Sequence, residues 1–519
     1  MKLIKFFFLF YLISFSTKVL AQLSSGQIDS LVQSAMSSFN VAGAAVAVVK
    51  DGKVIYEKGY GVKSIVTRQQ VDENTNFQIA SNTKAFITTA LSILIDEGKL
   101  KWTDKVRDYL PEFKMYNDYV TENFLVEDLL CHRSGLGLGA GDLMDFPDGA
   151  DFTIRDKLTF AQYLKPVSAF RTQWDYDNQL YVVAGELLAR VSGMSWEKFV
   201  QTRILDALQM TNSFSAQTAM KDQSNMATPH STITGKIKAI NLYYNPVIGA
   251  AGGIISNVHD MSKWMIMQLN GGKYGNNLEN QVFSPARQRD MWRIHTVQNA
   301  NPDPRYNSHF AGYGLGWGLT DIKGNLSVSH TGGLPGMLSK VSLIPDLKLG
   351  IVILTNTENG GAALFSAVNN SIVDSYLGLN KIDYVAKYII RMQAMQTNRD
   401  SITTDVWKQV EAMKKTKINP LDYIGVYEDK WFGQIEVFLK GDQLWFKSYR
   451  SPKLNGPMNY YNANTFAIKW EYQDMNCDAF ALFSLDENGT AQRIMMKGIS
   501  PDIDFSFDFQ DLDLQRINK

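Results

Sequence analysis

Three short groups of residues in this sequence carry the side chains that covalent attack on a carbonyl needs. Ser81-Asn82-Thr83-Lys84 opens a helical pattern, which sets the Ser81 hydroxyl and the Lys84 amine one turn apart on the same face. A serine hydroxyl attacks a carbonyl only if its proton has somewhere to go, and an amine beside it can take that proton once neighbours depress its pKa. The start of a helix adds partial positive charge and free N–H groups at the same spot. Tyr176-Asp177-Asn178 offers a phenol able to relay a proton, and an amide able both to hold Lys84 and to donate to a substrate carbonyl. His330-Thr331-Gly332 follows a strand pattern, and no other histidine in the chain has glycine two positions later.

Each group alone is a weak indication. Ser195-Trp196-Glu197-Lys198 repeats the first spacing and reads as an N-cap serine before a surface turn, while Tyr243-Tyr244-Asn245 and Tyr460-Tyr461-Asn462 repeat the second and read as loop tyrosines with turn asparagines. Gly332, Gly333 and Gly336 also let the third group be read as a strand end entering a glycine turn. The order of the three along the chain, and the elements each falls on, combine them into one signal.

Those elements follow from apolar periodicity. A helical pattern over Ile28–Phe39 precedes strands Ala44–Val49 and Val54–Tyr60 around the hairpin turn Asp51-Gly52. Far downstream, Tyr313–Trp317, Leu338–Ile344 and Leu349–Thr355 read as strands and Ala362–Leu377 as an apolar-faced helix. Helical patterns lie between, at Thr83–Glu97, Gln179–Ser192 and Trp196–Leu208. This predicts an α+β fold: an antiparallel sheet built from both ends of the domain, flanked by helices, with a helical subdomain beside it. Polar-faced helices at Tyr384–Met395 and Thr404–Lys414 suggest a linker over 380–420, and short alternating strands from Tyr423 onward, with Phe505–Phe509 the last, suggest a small all-β domain over 421–519. The main domain is placed at 22–379. The insertion from Gly137 to Arg171, rich in Asp and Gly, is expected to form part of a cleft rim. Trp431-Phe432 and Trp445-Phe446 could present a sugar-stacking face, but alternating aromatics in strands are more often core.

At 519 residues the chain exceeds one compact core. Lys+Arg and Asp+Glu both number 52, so no net charge gathers it onto nucleic acid or an anionic membrane. Residues 1–21 open with Lys2 and Lys5 and continue with the apolar run and small-residue ending of a cleavable signal, which predicts a mature protein starting near Gln22 and a secreted or periplasmic location without a transmembrane anchor. Cys131 and Cys477, the only cysteines, are expected to be buried free thiols, and no His- or Cys-rich spacing calls for a metal or other cofactor.

With these motifs in this order, the chain over Gln27–Leu377 resembles the penicillin-recognising serine hydrolases: class C β-lactamases, D,D-carboxypeptidases, D-aminopeptidases and related esterases. Leu129–Leu136, Gly185–Gly193 and Ala251-Gly252-Gly253-Ile254-Ile255-Ser256 fit the same family as scaffold, with His132 a structural histidine. The resemblance implies Ser81 as nucleophile, Lys84 and Tyr176 sharing the general-base and general-acid work, and Asn178 orienting Lys84 and substrate. It places His330, Thr331 and Gly332 on the substrate-binding strand and the backbone N–H groups of Ser81 and Gly333 in the oxyanion hole. The β-lactamases of this type usually have lysine where this chain has His330; a neutral or partly protonated imidazole there would still hydrogen-bond a substrate carboxylate or hydroxyl. The C-terminal region resembles small β-rich, lipocalin-like domains appended to exported members, where it could cap the cleft, bind cell-wall material or support an oligomer. Peptide or amide bonds of D-amino-acid-containing peptides, such as cell-wall fragments, are the expected substrates. An esterase or β-lactamase using the same serine, and a binding protein without turnover, remain open.

Overall fold

A computed structural model describes residues 22–233 and 235–517; the export signal expected over 1–21 lies outside the described residues. Helix α1 (Ser25–Phe39) starts at a capping box in which Ser24 and Gln27 satisfy each other's backbone N–H. It leads into β1 (Gly43–Lys50) and β2 (Lys53–Gly61), a hairpin whose Asp51 and Gly52 both take the positive φ that such a turn requires. After α2 (Thr83–Asp96), α3 (Gln179–Ser192) and α4 (Val258–Leu269), the chain returns to the sheet. It adds β3 (Thr296–Gln298), β4 (Ala311–Tyr313), β5 (Gly318–Ile322), β6 (Asn325–Leu334), β7 (Met337–Ile344) and β8 (Leu349–Thr355).

The sheet order is β2-β1-β8-β7-β6-β5-β4-β3, every pair antiparallel. The N-terminal hairpin closes against the last strand in the register Ala44↔Thr355 to Lys50↔Leu349. The period of two sorts β1 between two cores: Ala44, Val46 and Val48 pack under α1 and α5 (Gly360–Tyr376), while Ala45, Ala47 and Val49 pack toward α2 and α4. On that second face Phe86 stacks on Trp264 with ring centroids 3.7 Å apart. Helix α2 is buried continuously from Thr83 to Leu94, so the face carrying Lys84 is as enclosed as the face that packs on the sheet.

Beyond α6 (Tyr384–Met413), strands β9 (Gly425–Asp429), β10 (Gly433–Lys440), β11 (Gln443–Ser448), β12 (Asn455–Asn462), β13 (Thr465–Ile468), β14 (Ala479–Leu485), β15 (Ala491–Gly498) and β16 (Leu514–Ile517) form a closed barrel. The pair Val426↔Ile517 completes the ring. Trp431, Phe432 and Phe446 are core residues, and Trp445 points outward beneath Lys440, whose Nζ is 3.8 Å from the ring centre. Both cysteines are free and buried.

Three local expectations are corrected. Tyr313–Trp317 is not one strand: the chain leaves β4 at Tyr313 and turns through Gly316, where a Cβ would come within 2.8 Å of Thr88 Oγ1 on α2. The two polar-faced helices after Leu379 are one, because no glycine or proline separates them. Phe505–Phe509 is not a strand; Phe507 and Phe509 are buried while Phe505 enters the cleft of the main domain. Among the described residues no helix is long and apolar enough to cross a membrane.

Candidate active site

Ser81 sits on a tight turn, Ala80–Asn82, that runs directly into α2. Ala80 takes a positive φ of 49°, an uncommon conformation for a residue with a Cβ, and neighbours hold it there. Ser339 Oγ donates to Ile79 O at 2.7 Å and accepts from Asn82 Nδ2 at 2.8 Å, so one serine of β7 ties both flanks of the turn. Gly332 lies against the same turn: a Cβ on it would fall 2.2 Å from Ile79 O. The glycine of the third motif is thus demanded by close backbone approach, and it brings the neighbouring Gly333 beside Ser81 in the cleft wall, the pair expected to offer their N–H groups to an oxyanion.

Lys84 is fully enclosed. Its Nζ lies 3.1 Å from Ser81 Oγ, 2.7 Å from Asn178 Oδ1 and 2.9 Å from the Ala251 carbonyl oxygen. Burial brings its pKa down to about 7, against the opposing pull of Asp142 and Asp177. A neutral amine has two N–H groups and one lone pair. The two carbonyl acceptors engage both N–H groups, which leaves the lone pair directed at the Ser81 hydroxyl. Ala251, read from the sequence as scaffold, therefore contributes a ligand to the base. A rate limited by this amine should rise about tenfold per pH unit up to about pH 7 and then level. A kcat/KM flat between about pH 5 and 8 would remove Lys84 as the base.

Tyr176 lines the cleft with Ser81, and burial raises its phenol pKa further above the ordinary value, so it rests as a proton donor and not as a phenolate. Its ring is 4.3 Å from His132, whose Nδ1 accepts from the Asp177 N–H at 3.1 Å. Enclosure holds His132 neutral, as expected of a structural histidine that props up the Tyr176 segment. His330 departs from expectation. Burial, with Lys84 nearby, brings its pKa to about 3; its Nδ1 is 2.6 Å from Thr331 O and its Nε2 2.8 Å from the Tyr313 hydroxyl. Both ring nitrogens are engaged and the ring is uncharged, so it supplies neither charge nor a free donor to a substrate carboxylate. Thr331 is exposed on the wall of the cleft.

Asp142 carries no signature that marks it in the sequence. Its carboxylate accepts from Asn178 Nδ2 at 2.7 Å and from Gln179 Nε2 at 2.9 Å, which fixes the Asn178 amide with its oxygen toward Lys84. Ser506 Oγ of the barrel domain donates to the same carboxylate at 3.1 Å, and Asp508 accepts the Gly141 and Leu143 N–H groups, both at 2.7 Å. Farther out, Arg450 pairs with Asp151 and Asp156, and Lys453 with Asp148. The aspartates of the Gly137–Arg171 insertion thus dock the barrel and support the lysine-binding asparagine. The 480 Å³ cleft beyond Ser81 is walled by both domains, with Phe505 5.8 Å from Tyr176 between ring centres.

The repeated motifs fare differently. Ser195 accepts the Lys198 N–H at 3.3 Å, as an N-cap should. Tyr243, Tyr244 and Asn245, read as a plain loop, line the cleft, where Asn245 Nδ2 donates to Asp145 at 2.9 Å.

Comparison with known proteins agrees with this geometry. The Beta-lactamase family model matches residues 28–368, and a family described as a domain of unknown function, DUF3471, matches 414–516. The Unguisins hydrolase ungD' of Aspergillus campestris is 27% identical over 67% of this chain and 64% of its own length. Protein flp of Staphylococcus aureus is 26% identical over 65% of this chain and 64% of its own length. The chain therefore spans less than two thirds of the length of these two relatives. The octameric penicillin-binding protein homologue from Pyrococcus abyssi has the same fold, with a TM-score of 0.61 at 21% identity over 95% of this chain and 100% of that one. The penicillin binding protein from Bacillus halodurans gives 0.54 at 20% identity, over 65% and 98%. By its motifs, its fold and a family match over most of its length, the chain belongs to the Beta-lactamase family, whose members are serine hydrolases.

Proposed function

We propose that this protein is an exported serine hydrolase that cleaves amide bonds of D-amino-acid-containing peptides through an acyl-enzyme on Ser81. The observation that carries the reading is the setting of Lys84: a buried amine with two carbonyl acceptors and its lone pair on the serine. Lys84 takes the Ser81 proton as Oγ attacks, and the N–H groups of Ser81 and Gly333 receive the developing oxyanion. Tyr176 gives its proton to the leaving nitrogen, and the proton held by Lys84 replaces it. Water then attacks the acyl-enzyme by the reverse path and frees Ser81. Support for D-amino-acid peptides comes from the penicillin-binding relatives, and support for hydrolysis from the hydrolase name of the Aspergillus relative. Among the described residues lining the cleft there is neither lysine nor arginine, and His330 is neutral, which favours the aminopeptidase side of the family over carboxypeptidases and β-lactamases.

Intact-mass measurement of the exported protein, before and after a fluorescent fluorophosphonate, tests both parts of the proposal. A mature chain starting near Gln22 and a single adduct, absent in Ser81→Ala, are expected. An unprocessed chain would refute export, and labelling that survives Ser81→Ala would refute the nucleophile.

A further inference from the structure

Two stretches that repeat motif spacings without joining the proton relay, Ser195-Trp196-Glu197-Lys198 and Tyr243-Tyr244-Asn245, both reach the cleft. They meet at the short helix Gly249–Gly252. Trp196 lies against the start of that helix, where a Cβ on Gly249 would fall 2.6 Å from the indole, and the Gly249 N–H donates to Pro246 O at 3.2 Å. Tyr243 stacks on Phe146 with ring centres 5.0 Å apart. Its hydroxyl donates to Asp145 O at 3.0 Å, and its carbonyl accepts from Gln78 Nε2 at 2.8 Å. Gln78 lies three residues before Ser81, so this aromatic wall is tied to the nucleophile turn. Tyr244 and Ile248 complete the arm, in which the partly buried Glu197 is the one acidic or basic side chain among the described residues. Gly252 stands where the arm meets the turn. Its φ is outside the left-handed region, and among the described residues the atom nearest to a Cβ there is the Ala80 carbonyl carbon at 3.7 Å. By contrast, a Cβ on Gly253 would strike the Gly249 backbone. Neither backbone conformation nor packing calls for glycine at 252, so the missing side chain serves the open cleft.

We propose that this arm receives the side chain of the acyl residue and that Gly252 keeps it open, so that the preferred substrates carry a bulky apolar side chain next to the scissile carbonyl. The proposal rests on the Ser81 acyl-enzyme reading and deepens it. Tyr176 sets the orientation. It gives its proton to the leaving nitrogen, so the leaving group departs among its neighbours Trp174 and Phe505, whose ring centres are 6.2 and 5.8 Å away. The arm of Trp196 and Tyr243, joined to the segment that leads into Ser81, is left to the acyl portion. Apolar surface on both sides is dehydrated when the side chain enters, which is worth about fourfold in affinity per buried methylene. An acidic side chain would lose its hydration there and meet Glu197 at close range. The hydrogen bonds that fix Tyr243 keep the wall rigid, and a rigid wall discriminates by size as well as by polarity. A glycine that only relieved crowding in the short helix would leave the choice of acyl group unchanged when replaced.

Four substrates with one leaving group provide the test: the N-acetyl p-nitroanilides of alanine, leucine, phenylalanine and glutamate, each in either hand. In the wild type, kcat/KM should rise by about 50-fold from alanine to leucine or phenylalanine, and glutamate should not exceed alanine. Gly252→Leu should bring leucine and phenylalanine down to within about threefold of alanine while leaving the alanine rate within about threefold of its own wild-type value. Tyr244→Ala, at an exposed position, should lower the ratio of phenylalanine to alanine about fivefold. Equal wild-type rates on the four acyl groups, a preference for glutamate, or a Gly252→Leu loss shared equally by all would overturn the subsite. Should Gly252→Leu not fold, Tyr244→Ala decides by the same ratio. A fluorophosphonate probe read by mass at Ser81 separates the two readings: labelling with no acyl preference overturns the subsite alone, and no labelling of the wild type overturns the acyl-enzyme reading on which it rests.

Discussion

Lys84→Met should lower kcat/KM by roughly a thousandfold, the scale set by loss of a positioned general base. Methionine approximates the volume and reach of the side chain but leaves Ser81 with no acceptor for its proton. Two opposing terms set the stability change. Removing an enclosed amine relieves its desolvation, while Asn178 Oδ1 and Ala251 O each lose a donor, at about 1–3 kcal/mol apiece. The variant should therefore fold, and a thermal melt run beside the kinetics would show it. A folded Lys84→Met that kept a tenth of wild-type activity would mean that another group receives the proton.

Gly332→Ala should be nearly as damaging, for a steric reason. The added methyl meets Ile79 O at 2.2 Å, Ser339 Oγ at 2.4 Å and Ala80 Cβ at 3.0 Å. Neither the nucleophile turn nor β7 can yield without disturbing the other, because Ser339 bonds to Ile79 and Asn82 at once. Overpacking of this kind costs about 1–3 kcal/mol, and a displacement of Ser81 by about 1 Å costs about 100-fold in rate. Gly333→Ala is the comparison. Its methyl meets only Leu338 Cδ2, at 3.3 Å, so its melting temperature should stay much closer to that of the wild type. If Gly332→Ala melts and turns over like the wild type, the strand does not press on the turn as described.

The sequence made some of this legible and not the rest, for physical reasons. The two-residue period of β1 and the Asp51-Gly52 turn are local signals, and both elements formed where the pattern placed them. Ser81, Lys84, Tyr176, Asn178 and His330 could be picked out because three individually weak groups follow one another in the right order on the right elements; the fold brings them together at one cleft. Asp142 could not be picked out, since an aspartate in an Asp- and Gly-rich stretch looks like any loop residue until Asn178, Gln179 and Ser506 converge on it. The backbone oxygen of Ala251 carries no sequence signature at all. The state of His330 depends on burial and on Tyr313, which only tertiary structure supplies. The alternating phenylalanines of Phe505–Phe509 mimicked a strand because two of them fill a core while the third reaches into another domain's cleft, a division that periodicity alone does not reveal.

The docking of Ser506 and Asp508 onto the Asp142 loop also orders events in time. Ser81 and Lys84 are made before the segment that braces the loop behind Asn178, Ser506 to Asp508. The first hairpin likewise waits for β8 before it has a partner on its second edge. A growing or prematurely terminated chain therefore carries its nucleophile without the cleft wall that selects a substrate and without the support that holds the asparagine on the lysine.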